Sequence, residues 1–324
     1  MPSVQAFRQI IQDAFTAADF IHEPRELTEP IDYSIRMGGK RLRPLLVLLG
    51  CDLFGGEPQK AIHAAMAMEI FHNFTLLHDD LMDQSPLRRG KETVYKKWSS
   101  NTAILSGDTM LVLAYSYLTR TDPAFLLPVL EVFNDTARQV CEGQQYDMNF
   151  ETRSAVSLND YLKMIRLKTA VLLACCLKTG ALIAGAPPGE ADKLYAFGEN
   201  LGLAFQLQDD YLDVFGDPLL FGKETGGDII TNKKTFLYLK AFELAREDDL
   251  IHLTHAFFDP ELPVSEKVVN VTRIYKALRV DETAQAEIVS YVDRALKILQ
   301  EVQVDNTRKS NLKELAQEIL GRER

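Results

Sequence analysis

Two groups of carboxylates have the type and spacing to hold a metal: Asp79, Asp80 and Asp83, and Asp209, Asp210 and Asp213. On a helix, Asp79 and Asp83 project from one face, with Asp80 about 100° round from Asp79. Three carboxylates within a turn repel one another, so the cluster costs stability unless cations neutralise it. Oxygen donors with no His or Cys among them suit Mg²⁺ rather than zinc. The second cluster repeats the geometry, and Gln206 stacks below it. Facing each other across a bundle, the two clusters would hold several Mg²⁺ ions. One isolated copy would read equally well as a solvated helix end. Two copies, each following strongly apolar helical sequence, argue for a site. Neither carries the Gly-bearing loop of an EF-hand.

Magnesium held by carboxylates keeps positions open for phosphate oxygens, so the substrate should be phosphorylated. The chain supplies matching cations. Gly38-Gly39-Lys40-Arg41-Leu42-Arg43-Pro44 sets three basic residues behind two glycines that let backbone approach an anion. Arg88 and Arg89 follow the first acidic cluster closely, where arginine forks could grip the same diphosphate. Alone, that pair would read as a solvated loop. No nucleophilic triad and no Gly-rich nucleotide loop is present, which removes hydrolytic and redox readings. His72 and His78 are general-base candidates by type only.

Long Ala/Leu/Met/Glu/Lys-rich stretches between short Gly/Pro/Asp breaks must position these groups, and alternating β-branched runs are scarce. The chain is expected to be all-α, with helices near 4–20, 28–35, 41–54, 58–83, 99–119, 125–149, 158–185, 189–215, 233–246, 263–280, 282–303 and 309–320. Breaks at Gly55-Gly56, Ser85-Pro86, Asp122-Pro123, Gly185 to Gly189 and Gly216-Asp217-Pro218 are all too short to link domains. Residues 1–324 are therefore expected to form one domain, a single large bundle with its longest helices central.

Composition bounds the partners. With 46% hydrophobic and 25% charged residues the chain is an ordinary folded one, and its net charge of −10 disfavours nucleic acid and anionic membrane. Cys51, Cys141, Cys175 and Cys176 form no C-x-x-C pair, which fits a reducing compartment. Neither a signal peptide nor an apolar run of about 18 residues is evident, so the cytoplasm is expected.

Taken in order, Gly-Gly-Lys-Arg-Leu-Arg-Pro, the first Asp motif with Arg-Arg-Gly, Lys168-Thr169 and Phe205-Gln206-x-x-Asp209-Asp210-Tyr211-x-Asp213 resemble the trans-isoprenyl diphosphate synthases, over roughly Met37 to Thr235. The resemblance implies an isoprenoid-synthase bundle with a central active-site cavity, working as a homodimer. It implies a prenyltransferase of isoprenoid biosynthesis that condenses isopentenyl diphosphate with allylic diphosphates, using several Mg²⁺ ions, three with substrate bound. Lys40, Arg43, His72 and Arg89 then look like the isopentenyl diphosphate site. Arg88, Lys168, Lys223 and Lys233 look like ligands of the allylic diphosphate. Asp79, Asp83 and Asp209 look like direct metal ligands, with Asp80, Asp210, Asp213 and Asp228 nearby or water-mediated. Thr169 and Gln206 resemble polar groups facing the reacting carbons.

The chain departs from the family pattern at Glu224 and Asn232, where Pro and Gly are usual. Class I terpene cyclases share the first Asp motif and the fold, but normally lack the second motif and the Gly-Gly-Lys segment. In the family, the released diphosphate takes the proton that ends the cycle. Product length is set upstream of the first Asp motif, which points to Phe74 or Thr75 as the floor of the tail pocket. Ideal rotation puts Phe74 about 140° from Asp79 and would favour Thr75. One aromatic five residues before an uninterrupted motif resembles synthases that stop at geranylgeranyl diphosphate, with farnesyl or longer diphosphates as alternatives.

Overall fold

The computed structural model describes residues 2–217 and 226–321; Lys223, Glu224, Arg322 and Arg324 lie outside them. The chain divides into two compact units, one of residues 1–134, 175–194 and 303–311 and the other of 135–174, 195–302 and 312–324.

The first unit contains α1 (Val4–Ala17), α2 (Arg25–Arg36), α3 (Leu42–Leu53), α4 (Pro58–Met82), α5 (Val94–Lys97), α6 (Ser100–Leu118) and the start of α7 (Pro123–Thr152). Its centre is α3 and α4. Every residue of α3 from Pro44 to Leu53 is buried, as a helix apolar on all sides must be. α6 lies along α4, while α1 closes over α3 and α4 with Phe7, Ile11 and Phe15 on one face at four-residue spacing. Burial of each such side chain contributes about 1.5–3 kcal/mol.

Proline at its first turn starts α4. Its end is a Schellman turn: Gln84 is left-handed at φ 52, the Ser85 N–H donates to the Asp80 carbonyl at 2.9 Å, and Gln84 N–H donates to Leu81. A two-stranded hairpin, β1 (Leu87–Arg88) and β2 (Lys91–Glu92), follows. The sequence reading did not anticipate it; two residues per strand are too few to carry a pattern.

The second unit contains the rest of α7, α8 (Leu158–Ile165), the start of α9 (Val171–Ile183), most of α10 (Pro188–Phe215), α11 (Gly227–Ile230), α12 (Phe236–Leu244), α13 (Glu247–Phe258), α14 (Val264–Ala277), α15 (Val280–Glu301) and α16 (Ser310–Leu320). A capping box of Ser157 and Asp160 starts α8. The single helix expected over 158–185 is interrupted by a π-helical turn at Arg166–Ala170. Gly143 and Gly202 explain how the turn is accommodated. A Cβ on Gly143 would lie 2.3 Å from the Lys168 nitrogen, and one on Gly202 2.5 Å from the Ala170 Cα. α13 was also missed, because its Glu247-Asp248-Asp249 start reads as a charged loop, although acids in a first turn complement the helix dipole.

Among the described residues the architecture is all-α apart from the hairpin, and no helix is long and apolar enough to cross a membrane. All four cysteines are free thiols, three of them buried.

Candidate active site

Both acidic clusters occupy the C-terminal ends of long helices, Asp79 to Asp83 on α4 and Asp209 to Asp213 on α10. Helix carbonyls already give such an end partial negative charge, so carboxylates there add repulsion that only cations relieve. Within the first unit, Asp80 is 4% exposed and Arg88 grips it with a fork, Nε at 2.8 and 2.9 Å from the two oxygens and a terminal nitrogen at 2.7 Å. The same guanidinium is 3.8 Å from Asp79. Burial pushes the Asp80 carboxyl up to about 6, against the pull of Arg88. Asp79 is half-buried and Asp83 exposed.

Arg88 thus pairs inside the acidic cluster, whereas Arg89 turns to the glycine segment. Its guanidinium donates to the Gly38 carbonyl, and a Cβ on Gly39 would lie 2.6 Å from it. The bare backbone of the two glycines therefore lies against an arginine. Gly39, at φ 125, could carry no side chain without strain. Lys40 is exposed and Arg43 half-buried. Arg41 turns inward, its guanidinium 2.8 Å from the buried Glu69, bonded to the Ile35 carbonyl and stacked 4.5 Å over Phe15. His72, one turn beyond Glu69, is held neutral, its pKa driven well down by burial and then by Arg43, Arg89, Arg88 and Arg41.

In the second unit the carboxylate that turns inward is again the second of its cluster. Tyr161 of α8 donates to Asp210 Oδ2, and Gln206 Nε2 donates to Oδ1 at 3.0 Å. Thr169 Oγ1 in turn donates to Gln206 Oε1 at 3.0 Å. Thr169 and Gln206, expected to face reacting carbons, therefore form a relay that ends on Asp210. Burial raises the pKa of Asp210, and that of Asp228, which Asp210 also raises. Asp213 accepts from the Asp228 backbone N–H at 2.9 Å, while Asp209 and Asp213 are half-buried.

Lys168 and Lys233, far apart in sequence, both meet Asp147 of α7, at 2.7 and 3.9 Å. Burial works against the charge of Asp147, but Lys233 and Lys168 outweigh it and hold the carboxyl below its ordinary range. The π turn is what delivers Lys168 and Thr169 here, a frequent use of such insertions at functional sites.

Phe74 and Thr75, the two candidates for a tail-pocket floor, separate. Phe74 is 9% exposed and packs edge-on against His78 at 4.9 Å and tilted against Phe71 at 5.6 Å. His78 contacts the Ile104 carbonyl of α6 at 3.2 Å, so its ring fills space beside α6. Thr75, half-buried, donates back to the His72 carbonyl at 2.8 Å.

Three residues here escaped the sequence reading. Glu69 left a usable signal, an acid inside the apolar run from Ala64 to Phe71. Asp147 and Tyr161 left none, since polar residues on amphipathic helices are ordinary. Among the described residues, no group of three or more His, Cys, Asp or Glu converges as a ready-made metal cage. The donor set nevertheless fits magnesium. Each cluster turns one carboxylate inward and leaves Asp79 and Asp83, or Asp209 and Asp213, as oxygen donors with solvent access. Mg²⁺ commonly binds through one or two carboxylates, with waters and substrate phosphates completing the shell.

The polyprenyl synthetase family model matches residues 24–275. A geranylgeranyl diphosphate synthase of Methanosarcina mazei is 35% identical over 94% of this chain and 92% of its own length. Among solved structures, a geranylgeranyl pyrophosphate synthase superposes with a TM-score of 0.95 at 44% identity, covering 99% of both chains. That of Corynebacterium glutamicum, complexed with isoprenyl diphosphate and magnesium, gives 0.87 at 26% identity over 98% of this chain and 99% of its own. The fold is accordingly the all-α isoprenoid-synthase type. The chain belongs to the polyprenyl synthetase family and is a prenyltransferase.

Proposed function

We propose that residues 1–324 work as one isoprenoid-synthase-like domain that adds isopentenyl diphosphate to allylic diphosphates and stops at geranylgeranyl diphosphate. The observation that carries the reading is the arrangement repeated in both acidic clusters, an inward carboxylate tied to protein donors beside outward ones. Asp79, Asp83 and Asp209 hold magnesium, with Asp80, Asp210 and Asp213 supporting them, and three ions are present with substrate bound. Lewis-acid neutralisation of the departing diphosphate is the chemistry the metal supplies when bound. Arg88, Lys168 and Lys233, with Lys223 outside the described residues, are the ligands of the allylic diphosphate in this reading and offer that anion fixed positive charge, which is worth most in a water-poor site. Lys40, Arg43, His72 and Arg89 hold isopentenyl diphosphate so that its double bond meets the allylic carbon.

Geranylgeranyl diphosphate as product rests on the names of the relatives and on the bulk of Phe74. Homodimerisation draws support from apolar side chains left exposed on α6, Ile104, Leu105 and Val112, and from Leu127 on α7. Cytoplasmic work fits the free thiols.

The deciding assay supplies Mg²⁺ and labelled isopentenyl diphosphate with dimethylallyl, geranyl or farnesyl diphosphate. A C20 diphosphate from all three primers is expected. Release of a hydrocarbon from one allylic substrate alone would mark a terpene cyclase, and a C15 limit would make farnesyl diphosphate the product. Phe74→Ala should lengthen the chain; an unchanged product distribution by mass analysis would remove Phe74 as the floor. Gel filtration tests the homodimer.

A further inference from the structure

The Gly38–Arg43 segment turns through positive-φ backbone, and one of its residues is strained in doing so. Gly38 and Gly39 have φ of 88 and 125, and Arg41, which is not a glycine, sits in the left-handed region at φ 48. A left-handed non-glycine residue costs of the order of 1–3 kcal/mol and persists only where its surroundings over-determine it. Here they do so through the Arg41 side chain. Its guanidinium is bound to Glu69 at 2.8 Å, bonded to the Ile35 carbonyl and stacked on Phe15. Arg8 adds a bond to the Lys40 carbonyl at 2.8 Å.

Glu69 is a costly partner to keep. It is 3% exposed, and its second oxygen, Oε2, is buried without a hydrogen-bond partner among the described residues. Oε1 is shared between Arg41 and Asn73, whose amide also donates to the Glu69 carbonyl at 2.7 Å. A buried carboxylate spending only half its acceptors is unfavourable for stability alone. Its influence also reaches beyond Arg41: Glu69 is the strongest of the charges favouring the charged form of Arg89.

We infer that Glu69 and Arg41 are positioning residues, a buried pair that anchors the strained Gly38–Arg43 turn and so aims Lys40, Arg43 and Arg89 at the diphosphate of isopentenyl diphosphate. This rests on the proposed assignment of those three residues to that substrate. Arg41 itself does not touch the anion; its guanidinium is taken up by Glu69, the Ile35 carbonyl and Phe15. Arg89 is coupled to the turn because its guanidinium fills the space over Gly39 and bonds Gly38.

The test uses Glu69→Gln, Glu69→Asp, and Arg41→Met combined with Glu69→Leu, which removes both charges together. KM for isopentenyl diphosphate should rise about tenfold in Glu69→Gln, equivalent to about 1.4 kcal/mol. KM for the allylic substrate should stay within twofold and kcat within threefold, and Glu69→Asp should recover most of the loss. The double variant leaves no unpaired buried charge and should keep the wild-type melting temperature more nearly than Glu69→Gln. It should still bind isopentenyl diphosphate weakly, because the turn has lost its anchor. An unchanged KM for isopentenyl diphosphate, an equal rise in both KM values, or normal binding by the double variant would each overturn the inference. Calorimetric titration with isopentenyl diphosphate reads the same loss without turnover. Wild type that bound this ligand yet formed no product would therefore defeat the catalytic reading and leave the anchor to be decided by the titration.

Discussion

The two acidic clusters share a sequence pattern and a helix-end position, yet their inward carboxylates are satisfied in different currencies. Asp80 is held by a full positive charge, the Arg88 fork, whereas Asp210 is held by neutral donors, Tyr161 and Gln206. Burial raises both pKa values in spite of these partners. The difference teaches how each end is built. Asp80 takes its counter-ion from the adjacent hairpin, while the hydrogen bonds on Asp210 belong to an uncharged relay reaching back to Thr169 in the π turn, with the charge of Lys233 acting alongside it.

Removing an outward carboxylate should produce the largest effect. Asp79→Ala and Asp209→Ala are each expected to lower kcat/KM at least about a thousandfold, about 4 kcal/mol of transition-state stabilisation. Near-normal turnover in either variant would remove that carboxylate from the mechanism.

The inward partners should come next, and they should differ. Arg88→Met strips the buried Asp80 of the cation hydrogen-bonded to it, a loss of about 3–5 kcal/mol if the carboxylate stays charged. Tyr161→Phe removes one neutral donor to a carboxylate, about 1.5–3 kcal/mol. The pH dependence carries a sign. Asp80 titrates at about 6 in the fold and ordinarily at 3.8, so its folded form retains a proton the unfolded chain has lost, and stability falls as pH rises through that window. Without Arg88 the folded pKa climbs further and the fall extends to higher pH. The gap between wild type and Arg88→Met in urea unfolding should therefore widen from pH 5.5 to pH 8. An equal gap at both values would mean that Arg88 does not govern the ionisation of Asp80.

Most of this arrangement was legible in sequence where a residue's role is set by its own helix. The all-α class, the run of buried α3 residues and the ends of α4 and α10 follow from local pattern and stop signals. What was not legible depends on contacts between distant segments. Gly39 reads as a place for an anion, yet the space above it belongs to Arg89, fifty residues away in the chain. The π turn was invisible because an inserted residue leaves the apolar pattern of a buried helix intact, and the room for it is left by Gly143 and Gly202, distant in sequence. Tyr161, Gln206 and Thr169 meet only because α8, α10 and the turn converge on Asp210.

The smallest expected effect bears on the same contrast, because Asp147 meets Lys233, the lysine whose charge also acts on Asp210. Its carboxyl accepts from Lys168 at 2.7 Å with Lys233 nearby, and its pKa is lowered although burial opposes the shift. A depressed carboxylate contributes stability that is complete above its unfolded pKa, about 4, and disappears as pH falls through the folded value. Asp147→Asn should consequently be about 1–2 kcal/mol less stable than wild type at pH 7, with the difference closing as unfolding is followed from pH 5 down towards pH 3. Its two lysines also lose the carboxylate that orients them, so KM for the allylic diphosphate should rise while that for isopentenyl diphosphate holds. A stability gap that persisted unchanged into acid would show that Asp147 acts through shape rather than charge.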